Sequence, residues 1–290
     1  MPGIGFGGLG SVGIPILKNI ISEFKVDCIY DRDAGKSALF PSIPFVEEPF
    51  RLGSKCSIIF ACFQDDSESA MFISGQKGIL STMSPGGIIV NLSPTSYSFA
   101  REISLQCSGS GRYYIEAPFL GEPRDALQKN LVSMVSGDRE SYGKVEQVIS
   151  SYSREKYFLP APHGSIKMKL LLDQLSATVL ASTLEIYVAA ERLGISRGDA
   201  MRMILESPGS SRVLESREAT ISREDFVPGA MLKSMVKTMS GMEDLSLDPG
   251  MSLPISSVSN SIYRSAMLLG LGNLDFSAVL KALRHMDGRL

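Results

Sequence analysis

Over roughly the first 160 residues, short apolar runs recur between longer polar segments: "GIGF", "VDCIY", "CSIIFACF", "GIIVNLS", "YYIEAP" and "LVSMVSG". Runs of this length bounded by turn residues read as strands buried on both faces, and the polar stretches between them can hold crossover helices. The expected fold of this half is α/β, a Rossmann-type doubly wound parallel sheet. After "YFLPAPHGS" the pattern changes. Residues 166–193 contain no Gly or Pro before Gly194, which predicts a single helix about 42 Å long at 1.5 Å per residue. That is too long for a crossover and long enough to be the spine of an all-α C-terminal domain. Further helices are predicted near Ser196–Glu206, Ala230–Ser240, Ser256–Leu269 and Phe276–Met286, separated by "SPGSS", "DPGMSLP" and "GLGNLD", whose Gly and Pro residues break helices. The boundary is expected near Pro162, giving domains 1–162 and 163–290.

Composition narrows the partners. At 290 residues the chain exceeds the usual single core, so two domains are expected. Lys and Arg number 29 against 31 Asp and Glu, a net charge of −2 without a basic block, which predicts no nucleic-acid footprint and no polybasic membrane tether. Cys28, Cys56, Cys62 and Cys107 form no C-x-x-C pair and lie mostly in apolar runs, as reduced buried thiols of a cytoplasmic protein do. "MPGIGFGGLG" has no basic n-region and no long apolar run, so no secretory signal is expected. The most apolar segment, Leu170–Ala190, carries Asp173, Gln174 and Glu185, which argues against a membrane span. No metal is expected, because His163 and His285 lack ligand-like neighbours and the thiols are scattered. His163, at the boundary and with no acidic neighbour in sequence, reads as structural, and Lys167 as solvent-facing. The Met-rich "AMLKSMVKTMSGM" reads as adaptable packing or a subunit face.

The candidate chemistry begins at "GLGSVG", Gly8–Leu9–Gly10–Ser11–Val12–Gly13. This G-x-G-x-x-G string follows a strand candidate and opens a segment with helical spacing, the setting in which backbone amides at a helix N-terminus receive a dinucleotide pyrophosphate. The next strand ends at "DRDAGK", where NAD and NADP are told apart. Asp31 suits a ribose 2′-hydroxyl, Arg32 and Lys36 suit a 2′-phosphate, and Asp33 opposes one. The expected cofactor is NADP or NAD, with the phosphate preference open.

Several segments, in order, resemble the β-hydroxyacid dehydrogenase family, which includes 3-hydroxyisobutyrate dehydrogenase, glyoxylate and succinic-semialdehyde reductases, 6-phosphogluconate dehydrogenase and the related imine reductases. "GFGGLGSVGIPI" is similar to its opening loop, and "YDRDAGK" to its N-R-T-x-x-K segment with acids in place of Asn and Thr. "FACFQDDSE", with Cys62 and Phe63, resembles the stretch over the cofactor, and "NLSPTSYSFAREI", with Ser93 and Ser96, the segment near the nicotinamide. "IEAPFLGEP" is similar to the D-A-P-V-S-G-G substrate loop, "KMKLLLD" to the K-M-K-L-x-x-N helix, and "LGNLDFSAVLKAL" to the family's ending.

The resemblance implies that Lys169 is the proton donor and acceptor for a small substrate held by Pro118, Phe119, Leu120, Gly121 and Glu122, and that Lys233 is a cofactor contact. It also exposes departures. The family's Asn four residues after the lysine reads Asp173. Its substrate-loop Ser-Gly-Gly reads Leu120–Gly121–Glu122, and leucine donates no hydrogen bond to a carboxylate. Ser165 stands where the family usually has glycine, Pro94 replaces the Thr of its S-T-x-S-P, and Ser234 replaces the acid of its K-D pair. One helical turn puts Lys169 and Asp173 on one face, where the carboxylate holds the ammonium charged and weakens it as a donor, or binds a cationic substrate group. The implied function is an NAD(P)-dependent dehydrogenase or reductase, built as a homodimer or higher homo-oligomer through the long helix. The competing readings are a dinucleotide-binding sensor or regulatory protein without turnover, and an imine-reductase-like enzyme.

Overall fold

A computed structural model describes residues 3–227, 229–245 and 252–288, with side chains described throughout except at 242–245. The expected break at "DPGMSLP" lies largely outside the described residues. The chain forms two compact units, Met1–Lys169 and Leu170–Leu290.

In the first unit β1 (Ile4–Gly7), α1 (Gly13–Ile21), β2 (Cys28–Tyr30), α2 (Pro49–Gly53), β3 (Ile58–Ala61), α3 (Asp66–Ile73), β4 (Ile88–Asn91), α4 (Tyr97–Gly109) and β5 (Tyr113–Glu116) alternate along the chain. The strands assemble in the order β2-β1-β3-β4-β5, every pair parallel, with Gly5 opposite Cys28 and Ile4 opposite Ile58. An isolated parallel bridge between Ile29 and Phe45 extends the sheet past β2. Counting that remnant as a strand, the order becomes that of the dinucleotide-binding fold, with its reversal between β1 and β3. Phe6, Ile29, Phe60, Val90 and Ile115 are fully buried on this sheet, and α1 packs Ile16, Leu17 and Ile20 onto it.

β6 (Phe119–Leu120), α5 (Pro123–Leu127), β7 (Leu131–Val135), α6 (Arg139–Ser150) and β8 (Ser153–Phe158) complete the unit. Here the sequence expectation needs correcting. "LVSMVSG" forms a strand, but in a second, three-stranded sheet where β7 pairs antiparallel with β6 and parallel with β8. An antiparallel bridge from Glu116 to Ser136 joins this sheet to the end of β5. β8 was not foreseen because "SREKYF" is charged and largely exposed, a pattern that an edge strand tolerates and that blunts edge-to-edge pairing.

α7 (Gly164–Arg192) begins in the first unit and runs into the second, where α8 (Arg197–Glu206), α9 (Arg212–Arg223), α10 (Leu232–Leu245), α11 (Pro254–Leu268) and α12 (Val279–Met286) follow. Leu180, Leu184, Tyr187, Tyr263, Val279 and Leu280 form its core, and the Tyr263 hydroxyl donates to the Ala177 carbonyl at 3.2 Å. α9 was missed in the sequence because its buried stripe, Leu214, Arg217 and Ile221, has an arginine at its centre. Arg217 is 5% exposed and meets Asp275, 1% exposed, at 3.1 Å. Among the described residues no helix is long and apolar enough to cross a membrane, and no cluster of His, Cys, Asp or Glu has metal-site geometry.

Candidate active site

The glycine-rich loop sits at the point where strand order reverses. Gly8 has φ +96°, and a Cβ there would lie 2.1 Å from the Cys62 carbonyl oxygen. A Cβ on Gly13 would lie 2.0 Å from the Gly8 carbonyl oxygen, so α1 can start this close to the loop only without a side chain. Gly10 is different, because nothing lies within 4 Å of its Cβ position. Leu9 is fully buried and anchors the loop, Ser11 is exposed and Val12 half-buried. Val12 caps α1 with no side-chain hydrogen bond. The Ile14 amide donates to the Gly10 carbonyl at 3.0 Å and Pro15 has no N–H, so it is the loop amides ahead of Ile14, up to Gly13, that can meet an outside acceptor. An open approach at Gly10 beside such a helix start fits a dinucleotide pyrophosphate.

At the end of β2 the Asp31 carboxylate turns toward the loop. Its Oδ2 accepts the Leu9 amide at 2.6 Å, while Oδ1 accepts the Asp33 amide at 2.9 Å and Lys36 Nζ at 3.1 Å. Arg32 is exposed and reaches Glu68 at 3.5 Å. Asp31 and Lys36 thus hold each other, and Arg32 faces solvent.

The segments after β3 and β4 are tied together by a serine. Ser93 Oγ accepts the Phe63 amide at 2.9 Å and donates to the Ala61 carbonyl at 3.4 Å, and the residue is fully buried. Its hydroxyl therefore bonds inward and sets the spacing of the two loops. Ser96 Oγ caps α4 by accepting the Phe99 amide at 3.2 Å. Burial pushes the Cys62 thiol up to about 12.

Beyond β5, Pro118 is buried, with its carbonyl accepting the Met134 amide at 2.9 Å, and Phe119 and Leu120 form β6. Gly121 has φ +126° and a Cβ there would meet Leu131 at 2.7 Å, so the glycine is required by the turn. Glu122 is exposed and caps α5. Lys169 and Asp173 lie one turn apart on α7, both half-buried. Lys167 is half-buried rather than solvent-facing, with Nζ 5.3 Å above the Tyr97 ring. In the second unit the exposed Lys233, on α10, donates to Asn273 Oδ1 at 2.9 Å.

Sequence reading overlooked Glu116. This last residue of β5 is 3% exposed and pairs with His163 Nδ1, and its other oxygen accepts the hydroxyls of Ser136 at 2.8 Å and Ser165 at 3.0 Å. The acidic partner that His163 lacks in sequence is supplied from 47 positions away. The signals were a carboxylate closing an otherwise apolar strand and its place at the acid of the D-A-P segment that "IEAPFLGEP" resembles.

Residues 3–160 match the family model for the NAD binding domain of 6-phosphogluconate dehydrogenase, and residues 165–283 that for the NAD-binding region of NADP-dependent 3-hydroxyisobutyrate dehydrogenase. The chain is 26% identical, over 95% of its length, to the cytokine-like nuclear factor N-PAC of Anopheles gambiae, of which it spans about half, 49%. It is 25% identical, over 96% of its length and 95% of that protein, to L-threonate dehydrogenase of Cupriavidus necator. It is 23% identical, over 99% of its length and 80% of that protein, to the chloroplastic glyoxylate/succinic semialdehyde reductase 2 of Arabidopsis thaliana. In fold it is similar to the 3-hydroxyisobutyrate dehydrogenase of Salmonella typhimurium, with a TM-score of 0.87 at 20% identity over 97% of this chain and 99% of that one. The family model covering most of the first unit, continued by the second over α7 to α12, makes this chain a member of the β-hydroxyacid dehydrogenase family.

Proposed function

We propose that the chain is an NAD(P)-dependent oxidoreductase acting between a small carbonyl compound and its hydroxy form, with Lys169 as proton donor and acceptor. The observation that carries this reading is the loop Gly8–Gly13, closed against Cys62 and Asp31 yet open at Gly10, at the start of an uncapped helix. The nicotinamide, when bound, gives or takes the hydride. The chain's own residues bind and orient. Gly8 to Gly13 receive the pyrophosphate, Asp31, Arg32 and Lys36 face the adenosine ribose, and Cys62, Phe63, Ser93 and Ser96 frame the nicotinamide half, with Lys233 as a further cofactor contact. Pro118 to Glu122 form the substrate loop. The Lys169 ammonium balances the negative charge that grows on the substrate oxygen and then protonates it.

Two residues shape the substrate. Leu120 offers the substrate no hydrogen bond, and Asp173, a turn from Lys169, favours a cationic or hydrogen-bond-donating group. The names of the threonate dehydrogenase and semialdehyde reductase relatives support a small oxo or hydroxy substrate. A homodimer or larger homo-oligomer is part of the same reading. It is supported by the 29-residue α7, which exposes Leu171, Leu175 and Ile186, an apolar surface that another subunit would bury. The free thiols suit a reducing cytoplasm.

A second reading, a dinucleotide-binding regulator without turnover, is favoured by the relative named as a nuclear factor and by Leu120 and Glu122 in the substrate loop. One experiment separates the two. NADH and NADPH are titrated side by side, then nicotinamide absorbance is followed against semialdehydes, 2-oxo acids and cyclic imines. Saturable binding with oxidation of the reduced nicotinamide by a panel carbonyl is the expected result, and nicotinamide oxidation with a cyclic imine alone would move the reading to imine reduction. Binding without turnover across the panel would favour the regulator, and no binding would overturn both readings.

A further inference from the structure

Glu116 ends the strand from which the substrate loop departs, and its carboxylate is enclosed by three side chains. His163, just ahead of α7, meets one oxygen. Ser136, after β7, and Ser165, in the first turn of α7, donate to the other at 2.8 Å and 3.0 Å. The two serine oxygens are 2.6 Å apart, and the Ser165 amide donates to Ser136 Oγ at 3.2 Å. Burying a carboxylate is costly unless donors surround it. This one therefore resists any movement of α7 that would strip its partners.

His163 adds a second observation. Its φ is +55°, a left-handed conformation that glycine adopts freely and histidine rarely. A turn needing only that geometry would be served by glycine, so the imidazole is there for its contacts. These are Glu116 on β5 and the edge of the Tyr97 ring on α4, 5.5 Å away between centroids, and Tyr97 in turn carries Lys167. Ser165 precedes Lys169 by four residues, so the two share a helix face.

We propose that Glu116 is a positioning residue for Lys169. Through His163 and Ser165 it fixes the rotation and axial position of the first turn of α7 against the end of β5, and so sets the lysine against the loop Pro118–Glu122 leaving the same strand. The inference rests on Lys169 being the proton donor.

The test compares Glu116→Gln, Glu116→Asp and His163→Gly with Lys169→Ala and the unmodified protein. Acetylation of Lys169 by acetic anhydride is mapped by mass spectrometry, with exposed Lys144 as an internal control. Glu116→Gln and His163→Gly should change the Lys169 rate by about threefold or more, as local loosening does, with Lys144 unchanged. On the panel carbonyl that is turned over, Glu116→Gln should lower kcat by at least about tenfold, as misplacement of a reacting group does, with KM and dinucleotide affinity nearly constant. Glu116→Asp, which restores the charge, should recover part of the loss. His163→Gly keeps the backbone geometry and tests the anchor even if Glu116→Gln fails to fold. Unchanged Lys169 reactivity and kcat in both, beside an inactive Lys169→Ala, would overturn the positioning role alone. An active Lys169→Ala would overturn the proton-donor reading itself.

Discussion

Asp31 Oδ2 accepts the amide of Leu9 at 2.6 Å, so the carboxylate ending β2 closes the glycine-rich loop from beneath. A sequence motif would assign that carboxylate to the ribose of the cofactor. Here it also holds the loop, and Lys36 holds it. Asp31→Ala should weaken NADH and NADPH alike, by roughly tenfold to a hundredfold, because a charge-assisted hydrogen bond to a backbone amide is worth about 1.5–3 kcal/mol. Fluorescence titration checks this. Loss of NADH affinity alone would return Asp31 to a purely ribose-reading role.

Gly8 and Gly10 should respond differently to the same methyl group. At Gly8 the added Cβ lies 2.1 Å from the Cys62 carbonyl oxygen in a positive-φ backbone, so Gly8→Ala should cost on the order of 3 kcal/mol and lower the thermal midpoint. At Gly10 nothing is within 4 Å, so Gly10→Ala should leave the midpoint unchanged while weakening dinucleotide binding. Equal thermal shifts would contradict the distinction between a glycine needed for the turn and one needed for ligand approach.

The sequence revealed most where one requirement acts alone. Ile58–Ala61 and Ile88–Asn91 are buried at every position, so their apolar runs spelled out strands, and the interval free of Gly and Pro spelled out α7. It revealed least where residues distant in the chain compensate each other. Arg217 interrupts the apolar stripe of α9, and only the fold supplies Asp275, 58 positions away, to neutralise it. Glu116 and His163 read as unconnected because the bridge between β5 and Ser136 brings them together only in the fold. Ser93 illustrates the same limit: its motif points to the cofactor, whereas its hydroxyl bonds to Phe63 and Ala61.

Lys169→Ala should reduce kcat by a factor of about 10² to 10⁴, the usual contribution of a positioned proton donor, while leaving NADPH affinity within experimental error. Asp173→Asn should improve kcat/KM for short hydroxy acids, since it removes a carboxylate that repels their own. Steady-state kinetics over the carbonyl panel read both effects. Unchanged selectivity in Asp173→Asn would remove Asp173 from substrate discrimination.

Stability should fall in alkali. Burial pushes the thiols of Cys62 and Cys107 from 9.0 to about 12, and burial beside Glu146 pushes the Tyr142 phenol from 10.0 to about 12. Between those values the unfolded chain has released protons that the folded chain retains, so the unfolded state binds fewer protons and stability decreases as pH rises. The contribution is complete below pH 9 and is lost toward pH 12. Urea midpoints should agree at pH 7 and 8 and drop by pH 10.5, with a smaller drop in Cys107→Ala. A flat profile to pH 10.5 would show these groups ionising without unfolding.

The second unit depends on one buried carboxylate. Asp275 Oδ1 accepts Arg217 Nε at 3.1 Å and the amide and hydroxyl of Ser277 at 3.1 and 2.7 Å, and Oδ2 accepts the amides of Gly229 and Ala230 at 3.2 Å. The Arg217 guanidinium lies 5.2 Å over the Phe276 ring, so α9, the segment leading to α10 and the turn before α12 converge on Asp275. Removing one member of a buried pair strands the other's charge in an apolar setting, at a cost of about 3–5 kcal/mol. Asp275→Ala should therefore lower the thermal midpoint by on the order of 10 °C at this chain length. The double variant Arg217→Met with Asp275→Ala removes both charges and should recover part of that loss. A double variant no more stable than Asp275→Ala alone would place the cost in the amides of Gly229 and Ala230 rather than in the ion pair.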